Sequence, residues 1–492
     1  MRQASLLAAA LTSASLSGAA MAAPSDAALL EKLMARMEKI EARNAELEKE
    51  VKTLKAENDR VAQALDSDRI SENEPELTTR LKAIEKDALS MKKATRKIDA
   101  LDGIKAGATL TTVIQKPFGL PNGTKDGNSQ IGYRADATLE LPLHPIGTID
   151  QKLFAHFRMG QGTGLNTPFS NLGHFASAPN ATAFRASGAN DSDSVAILGE
   201  AWYQASIPLP LGGFKGRSRE KLELTFGKMD IFGFFDQNTA AGDESKQFLN
   251  SVFVHNPLLD AGGEVAVDGN GFQPGFVAAY INEADKAEPW RVSAGVFGAG
   301  ERGAGYQRSL SAPLVVAQVE KQLRLFGGLP GNYRAYVWNR RQVVELDGTS
   351  TARHTGIGFS ANQRVGDGIN LFARYGKLLR GQHSFDHALT GGAELSGSYW
   401  GRGADAVGIA GAWLQSSSDY RRLGGSGDLI GDGTGRFSYL PSGAEKLAEV
   451  YYRYRIAPQF DISPDFQLIS RAGANPDARL VKVLGLRANI SY

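Results

Sequence analysis

The chain has 492 residues, with 55 basic against 53 acidic side chains and a formal net charge of +2. That balance excludes the basic face or stripe on which nucleic-acid recognition depends. Cys is absent, which excludes disulfides, thiolate nucleophiles and Cys-ligated metals. Beyond Ala23 no stretch stays apolar for the ~18 residues a membrane-spanning helix needs, whereas a transmembrane β-barrel, whose strands alternate, stays open.

The N-terminus carries the three parts of an export signal in order. Arg2 is a short positive region, residues 6–16 a small apolar region, and Ala20-Met21-Ala22 a small-residue cleavage site. Residues 1–22 are expected to be a signal peptide.

Residues 30–65 then keep a 3-4 spacing. Leu30, Met37, Asn44, Val51, Asn58 and Leu65 fill one seam position, and Leu33, Ile40, Leu47, Leu54 and Val61 the other. The pattern predicts an α-helical coiled coil. Flanking pairs Arg36–Glu41, Arg43–Glu48 and Glu50–Lys55 are all of opposite sign, as a parallel homo-oligomer in register requires. Asn44 and Asn58 weaken the seam and fix its register. The segment would span roughly 54 Å, a length that suits a periplasmic stalk. Pro75 breaks the helix in the polar stretch 67–76, and a weaker seam resumes from Leu77 to Ile98. The stalk is expected to cover 23–102.

At Gly103 the period changes from helical to alternating. Leu153, Ala155, Phe157 and Met159 alternate with Lys152, Phe154, His156 and Arg158. Tyr333, Ala335 and Val337 alternate with Arg334, Tyr336, Trp338 and Arg340, and Val450, Tyr452, Tyr454 and Ile456 with Glu449, Tyr451, Arg453 and Arg455. One face carries full charges together with aromatics, which fits a water-filled lumen. The C-terminus places Leu484, Leu486, Ala488, Ile490 and Tyr492 on one face and Arg487, Asn489 and Ser491 on the other. Residues 103–492 are therefore expected to form an all-β transmembrane barrel, since closure satisfies every backbone group in lipid.

Several segments then match a known family in order. They include Gly227-Lys228-Met229-Asp230, Phe235-Asp236-Gln237-Asn238, Gln247-Phe248-Leu249-Asn250-Ser251 and Asn256-Pro257. Leu329 to Arg334, Thr355-Gly356-Ile357-Gly358, Leu371 to Gly376, Gly397 to Arg402 and Ala448 to Tyr452 follow. Together they resemble the carbohydrate-selective porin (OprB) family over most of 104–492. The resemblance implies sixteen antiparallel strands in the outer membrane of a Gram-negative bacterium and passive, sugar-preferring diffusion of small carbohydrates into the periplasm. It also implies a homo-oligomer, with a trimer favoured, although Asn in the seam more often accompanies dimers. The coiled coil is an addition to the shorter members. It is similar to the periplasmic coiled coils that precede the barrel in some sugar porins and in porins anchored to the cell wall, and the second likeness makes contact between stalk and wall a further expectation. The alternatives are a general or anion-preferring porin, or a structural tether between outer membrane and cell wall.

A sugar is neutral, hydroxylated and apolar on its C–H faces. It calls for flat aromatics beside ionised groups that replace its lost water. Glu200, Trp202 and Gln204 share one face and form the first candidate contact strand. Arg334, Tyr336, Trp338 and Arg340 form the second, with Arg158 and Arg374 as further lumen-facing cations. Asp230, Asp236 and Asn238 follow a strand end, where they either fold inward as the acidic side of a constriction or serve turn chemistry. His383 and His387 have i,i+4 spacing but sit among strands and glycines, and Gly160 to Gly164 opens no helix. The sequence thus carries no catalytic constellation, cofactor motif or metal-ligand set, and it reads as a channel rather than an enzyme.

Overall fold

The computed structural model describes residues 103–492 apart from 121–128, 167–177, 185–192, 212–217, 261–269, 304 and 425–438. Nearer the N-terminus it describes Glu38, Ala45, Glu46, Glu48, Lys49, Val51, Lys52, Thr53, Lys55, Ala56 and Asp59. The chain divides into two units, Met1–Thr78 and Thr79–Tyr492. In the first, the described residues are α-helical and exposed. Val51, one of the expected seam residues, is 61% exposed in the single chain. The other expected seam residues, Leu30, Leu33, Met37, Ile40, Asn44, Leu47, Leu54, Asn58 and Val61, lie outside the described residues, as do the signal peptide and the break near 67–76.

In the second unit sixteen described strands pair antiparallel, each with its sequence neighbours, and close on themselves. They are β1 (Lys105–Phe118), β2 (Gln130–Ile146), β3 (Ile149–Gln161), β4 (Val195–Leu209), β5 (Glu220–Asp230), β6 (Phe272–Asn282), β7 (Trp290–Phe297) and β8 (Leu314–Leu325). The second half runs β9 (Leu329–Val344), β10 (Thr351–Gly366), β11 (Ile369–Arg380), β12 (Phe385–Ser396), β13 (Ala406–Ser416), β14 (Ala444–Ala457), β15 (Phe460–Ser470) and β16 (Val481–Ser491). Closure is made between β1 and β16, with Leu110 opposite Ile490 and Ile114 opposite Leu486. At the end of that seam Ala108 N donates to Tyr492 O at 3.0 Å, and Tyr492 N donates to Ala108 O at 2.8 Å.

The barrel is inside-out in polarity. On β16, Leu484, Leu486 and Ile490 are exposed, whereas Arg487 and Asn489 between them are buried. On β1, Leu110 and Ile114 are exposed while Thr111 and Gln115 are buried. Phe157, Phe226, Phe276, Phe359, Leu389 and Ile409 continue the outer apolar band. In water such a surface would be a severe liability, and in a bilayer it is the lipid-facing wall. Among the described residues no helix is long and apolar enough to cross a membrane, so the strands do the crossing.

The connections differ by end. One end carries tight turns at 147–148, 326–328, 367–368 and 458–459, and the other carries the long connections 162–194, 231–271 and 417–443.

Candidate functional site

Residues 231–260 of the connection from β5 to β6 fold into the lumen. At its start the Asp230 carboxylate accepts from Phe232 N at 2.9 Å and caps a 3-10 turn at Ile231–Gly233. The loop is rich in large apolar side chains. Ile231, Phe235, Phe248, Phe253 and Leu258 are buried in one cluster with Leu314, Val316, Tyr336, Trp338, Phe372 and Tyr451 of the inner wall. Each such side chain removed from water is worth roughly 1.5–3 kcal/mol. The loop therefore seats against one side of the barrel by ordinary core packing. Glycines make room for the rings beneath it: Gly356 pairs with Trp338 and Gly358 with Tyr336 across β9 and β10. A Cβ at Gly356 would stand 2.1 Å from Trp338 Cζ2, and one at Gly358 2.2 Å from Tyr336 Cε2.

Polar anchors then fix the loop in place. The Asp236 carboxylate accepts from Arg374 Nε at 3.1 Å, from Tyr336 Oη at 2.9 Å and from Asn256 N at 2.6 Å. Arg374 also donates Nη1 to Phe253 O and Nη2 to Ala241 O, both at 2.7 Å. Asn238 donates to Ala361 O at 3.0 Å while its side-chain oxygen accepts from Ala240 N. Farther round the wall, Glu449 accepts from Leu249 N and Asn250 N, and Asn250 donates to Gln467 Oε1 at 3.0 Å. Arg487 donates to the carbonyls of Glu244 and Gln247. The loop is thus tied to β9, β10, β11, β14, β15 and β16. A second inward segment supports it: Gln115 and Gln467 both donate to Pro179 O at 2.9 Å, and Ala181 N donates to Leu249 O at 2.7 Å.

A cavity of about 300 Å³ lies where the loop meets the wall, lined by Phe232, Asn238, Thr239, His255, Arg334 and Arg374 among others. Phe232 and His255 stack at 3.7 Å with planes 13° apart. Burial, reinforced by the Arg374 guanidinium, pushes the His255 imidazole down to about 3, so that ring is neutral at physiological pH and acts as a flat aromatic face.

The wall of β2 to β4 carries a charged cluster of its own. Asp136 accepts from Arg134 Nε at 2.8 Å and from Arg158 Nε at 2.7 Å. His156 lies between acids, with Nε2 2.7 Å from Asp136 Oδ1 and Nδ1 3.3 Å from Glu200 Oε1. Trp202 donates its indole N–H to Glu200 at 3.2 Å and stacks on Phe154 at 4.7 Å and 22°. Lys152 Nζ stands 5.5 Å from the Trp202 ring, and Gln204 donates to Thr225 Oγ1 at 2.9 Å. Arg134 also reaches Glu244 of the loop at 2.8 Å.

A family model for carbohydrate-selective porins of the OprB family matches residues 150–492. The chain belongs to the OprB family. Its barrel is similar to the high-pH structure of Pseudomonas putida OprB, with a TM-score of 0.60 at 18% identity, covering 79% of this chain and 94% of that one. A mutant porin of Rh. blastica is also similar, at TM-score 0.41 and 10% identity, covering 79% of this chain and 100% of that one. No curated protein matches by sequence. The OprB-family chain is therefore an outer-membrane porin of the carbohydrate-selective class, a channel and not an enzyme.

In this OprB-family porin the sequence-predicted residues divide into two groups. Arg158, Glu200, Trp202 and Gln204 are partly exposed on one inner wall and are brought together with Phe154 and His156. Arg334, Tyr336, Trp338 and Arg374 also face inward, but the loop covers them. Trp338 is 1% exposed, and Tyr336 is spent on Asp236 and Asn256. Those two rings do not line an open passage, which corrects the expectation for that strand: alternation identifies the inner face, not what packs over it. Arg334 pairs with Glu320 at 2.7 Å and Arg374 with Asp236, and both border the cavity at the loop. Asp230 and Asn238 make local turn caps, to Phe232 N and Ala240 N, whereas Asp236 ties the loop to Arg374, Tyr336 and Asn256 N. The sequence reading missed Arg134, Asp136, His156 and Glu244. A signal for the loop was present in Phe232, Phe234, Phe235, Phe248 and Phe253, because a water-exposed loop rarely carries so many rings.

Proposed function

We propose that small neutral carbohydrates cross between the inward loop and the β2–β4 wall, with the Trp202 indole as the main stacking face. The observation that carries this reading is the Phe154–Trp202 stack held by Glu200, with Lys152, His156 and Arg158 around it. Flat rings meet the apolar faces of the sugar, and the ionised groups exchange charge-assisted hydrogen bonds with its hydroxyls. Contact on one wall is weak enough for release, as transport requires. In planar bilayers Trp202→Ala should raise the sugar concentration that half-blocks the ion current by about three- to tenfold, the usual worth of one aromatic contact. Unchanged block would move Trp202 out of the passage.

The charge pattern favours a sugar over an anion. Arg134 and Arg158 share Asp136, Arg334 pairs with Glu320, Arg374 with Asp236, and Arg453 with Glu394. Each of these five lumen arginines is compensated by an acid beside it. A reversal potential strongly favouring anions would transfer the reading to an anion-preferring porin.

We further infer a homo-oligomer, a trimer by the porin analogy, aligned through the 23–102 stalk in the periplasm, where the stalk also stands within reach of the cell wall. The seam spacing and opposite-sign flanking pairs support this reading. Since β1 starts at Lys105, a variant lacking 23–102 should keep wild-type unit conductance and lose detergent-resistant oligomer. Loss of all conductance would contradict two separable modules.

A further inference from the structure

The outer wall carries a feature that transport does not use. Arg341, Arg353 and Arg380 are exposed and line one cleft of about 350 Å³ with Gln342, Thr351 and Ala352. They lie on neighbouring strands, β9, β10 and β11. Their neighbours Arg340, Val343 and His354 are buried toward the interior, which places the cleft on the outer face. Two irregularities aim the guanidiniums together. The β9–β10 register shifts where two residues of β9, Arg341 and Gln342, oppose the single Arg353 of β10, and the β10–β11 register shifts between Thr355 and Gly356, opposite Arg380 and Leu378. Such bulges re-aim side chains. Gln342, beside Arg341, takes a left-handed conformation at φ 59°, which is uncommon for a residue other than glycine, and its side-chain oxygen accepts from Thr351 Oγ1 at 2.8 Å. Among the described residues no acid forms an ion pair with any of the three arginines. The acid nearest in sequence, Glu345, is buried and engaged by His354 and Gln382 N.

Three guanidiniums without an acid partner, lining one cleft, offer a site for an anion. Position decides which kind. Val337, Phe359, Leu371 and Leu379 form the exposed apolar wall of the same strands, and Val344 flanks the cleft. The cleft stands at the barrel end that carries the long connections, which in outer-membrane barrels faces outward. Here the lipid-facing band gives way to the headgroup layer.

We propose that Arg341, Arg353 and Arg380 form a binding site for a phosphate group of an outer-leaflet lipid, whose acyl chains lie on the apolar wall below. Guanidinium forks match phosphate oxygens in bidentate geometry, and Gln342 supplies an amide donor.

The test is native mass spectrometry of the purified full chain in detergent, titrated with diphosphorylated lipid A and with the same lipid after phosphate removal. The wild type should hold the phosphorylated lipid roughly tenfold or more tightly than the stripped one. The triple variant R341Q/R353Q/R380Q should lose that preference while keeping its unit conductance and heat-modifiable band, which shows that the barrel is intact. Triple replacement by Lys should restore part of the preference. Inorganic phosphate is the competing arm: displacement of the lipid at micromolar phosphate would assign the site to a free anion and overturn the lipid. Equal binding of both lipids by the wild type, or full retention of the preference by the Gln variant, would also overturn it.

Discussion

Asp236→Ala should release the inward loop and open the channel. The carboxylate is buried and gathers Arg374, Tyr336 and Asn256 N at one point. Removing it leaves the Arg374 guanidinium buried without its counter-charge, a change that costs about 3–5 kcal/mol. Since 1.4 kcal/mol is tenfold, the ratio of seated to released loop falls by roughly a hundredfold or more. Single-channel records should show higher and noisier conductance, and sugar block should weaken. The outer band and strand pairing are untouched, so the heat-modifiable barrel should persist. Asp236→Asn combined with Arg374→Met removes both charges and should be less damaging than either single change, because no lone buried charge remains. Wild-type conductance in Asp236→Ala would show that the apolar cluster and the remaining anchors at Asn238, Glu449, Gln467 and Arg487 hold the loop without Asp236.

Deleting 488–492 should abolish the barrel altogether. The deletion leaves Thr109 to Thr112 of β1 and Phe460 to Ile462 of β15 without their partners on β16. It also removes both backbone bonds between Ala108 and Tyr492. Each unpaired backbone group in hydrocarbon costs several kcal/mol, and the loss falls on the strand pair that closes the ring. Neither a heat-modifiable band nor channel activity should be recoverable. Tyr492→Ala keeps the main-chain bonds and should fold, with slower insertion as its one defect. Recovery of conducting channels from the truncated chain would mean that residues 481–487 of β16 suffice to close the ring.

How much of this was legible in the sequence follows from what alternation measures. It assigned Arg334, Tyr336, Trp338 and Arg340 to the inner face, and all four are buried there. The outward placing of Leu484, Leu486 and Ile490 was read the same way. Strand number came only from the family resemblance, because individual barrel strands are weak signals. The burial of Tyr336 and Trp338 was not legible, since it depends on a loop a hundred residues earlier in the chain: Tyr336 meets Asp236 across a separation of 100. The Thr355–Gly358 motif makes sense only once both rings are seen lying over its glycines. The charged cluster escaped for a related reason. Arg134, Asp136, His156 and Glu200 stand on three strands, and no local spacing announces that they meet.

The loop anchors have a consequence for the order of assembly. Asn250 N binds Glu449 across 199 residues, Asn250 Nδ2 binds Gln467 across 217, and Arg487 binds Glu244 across 243. These wall residues are made late and take their places only when the last strands pair. Contacts of such separation form after the local ones that reduce their entropic cost. The nascent channel is therefore wide until the last strands pair, and it narrows as the loop docks onto them. Until that step the phenylalanines of the loop stay uncovered, so the interval before the last strands pair is when this porin most needs a chaperone.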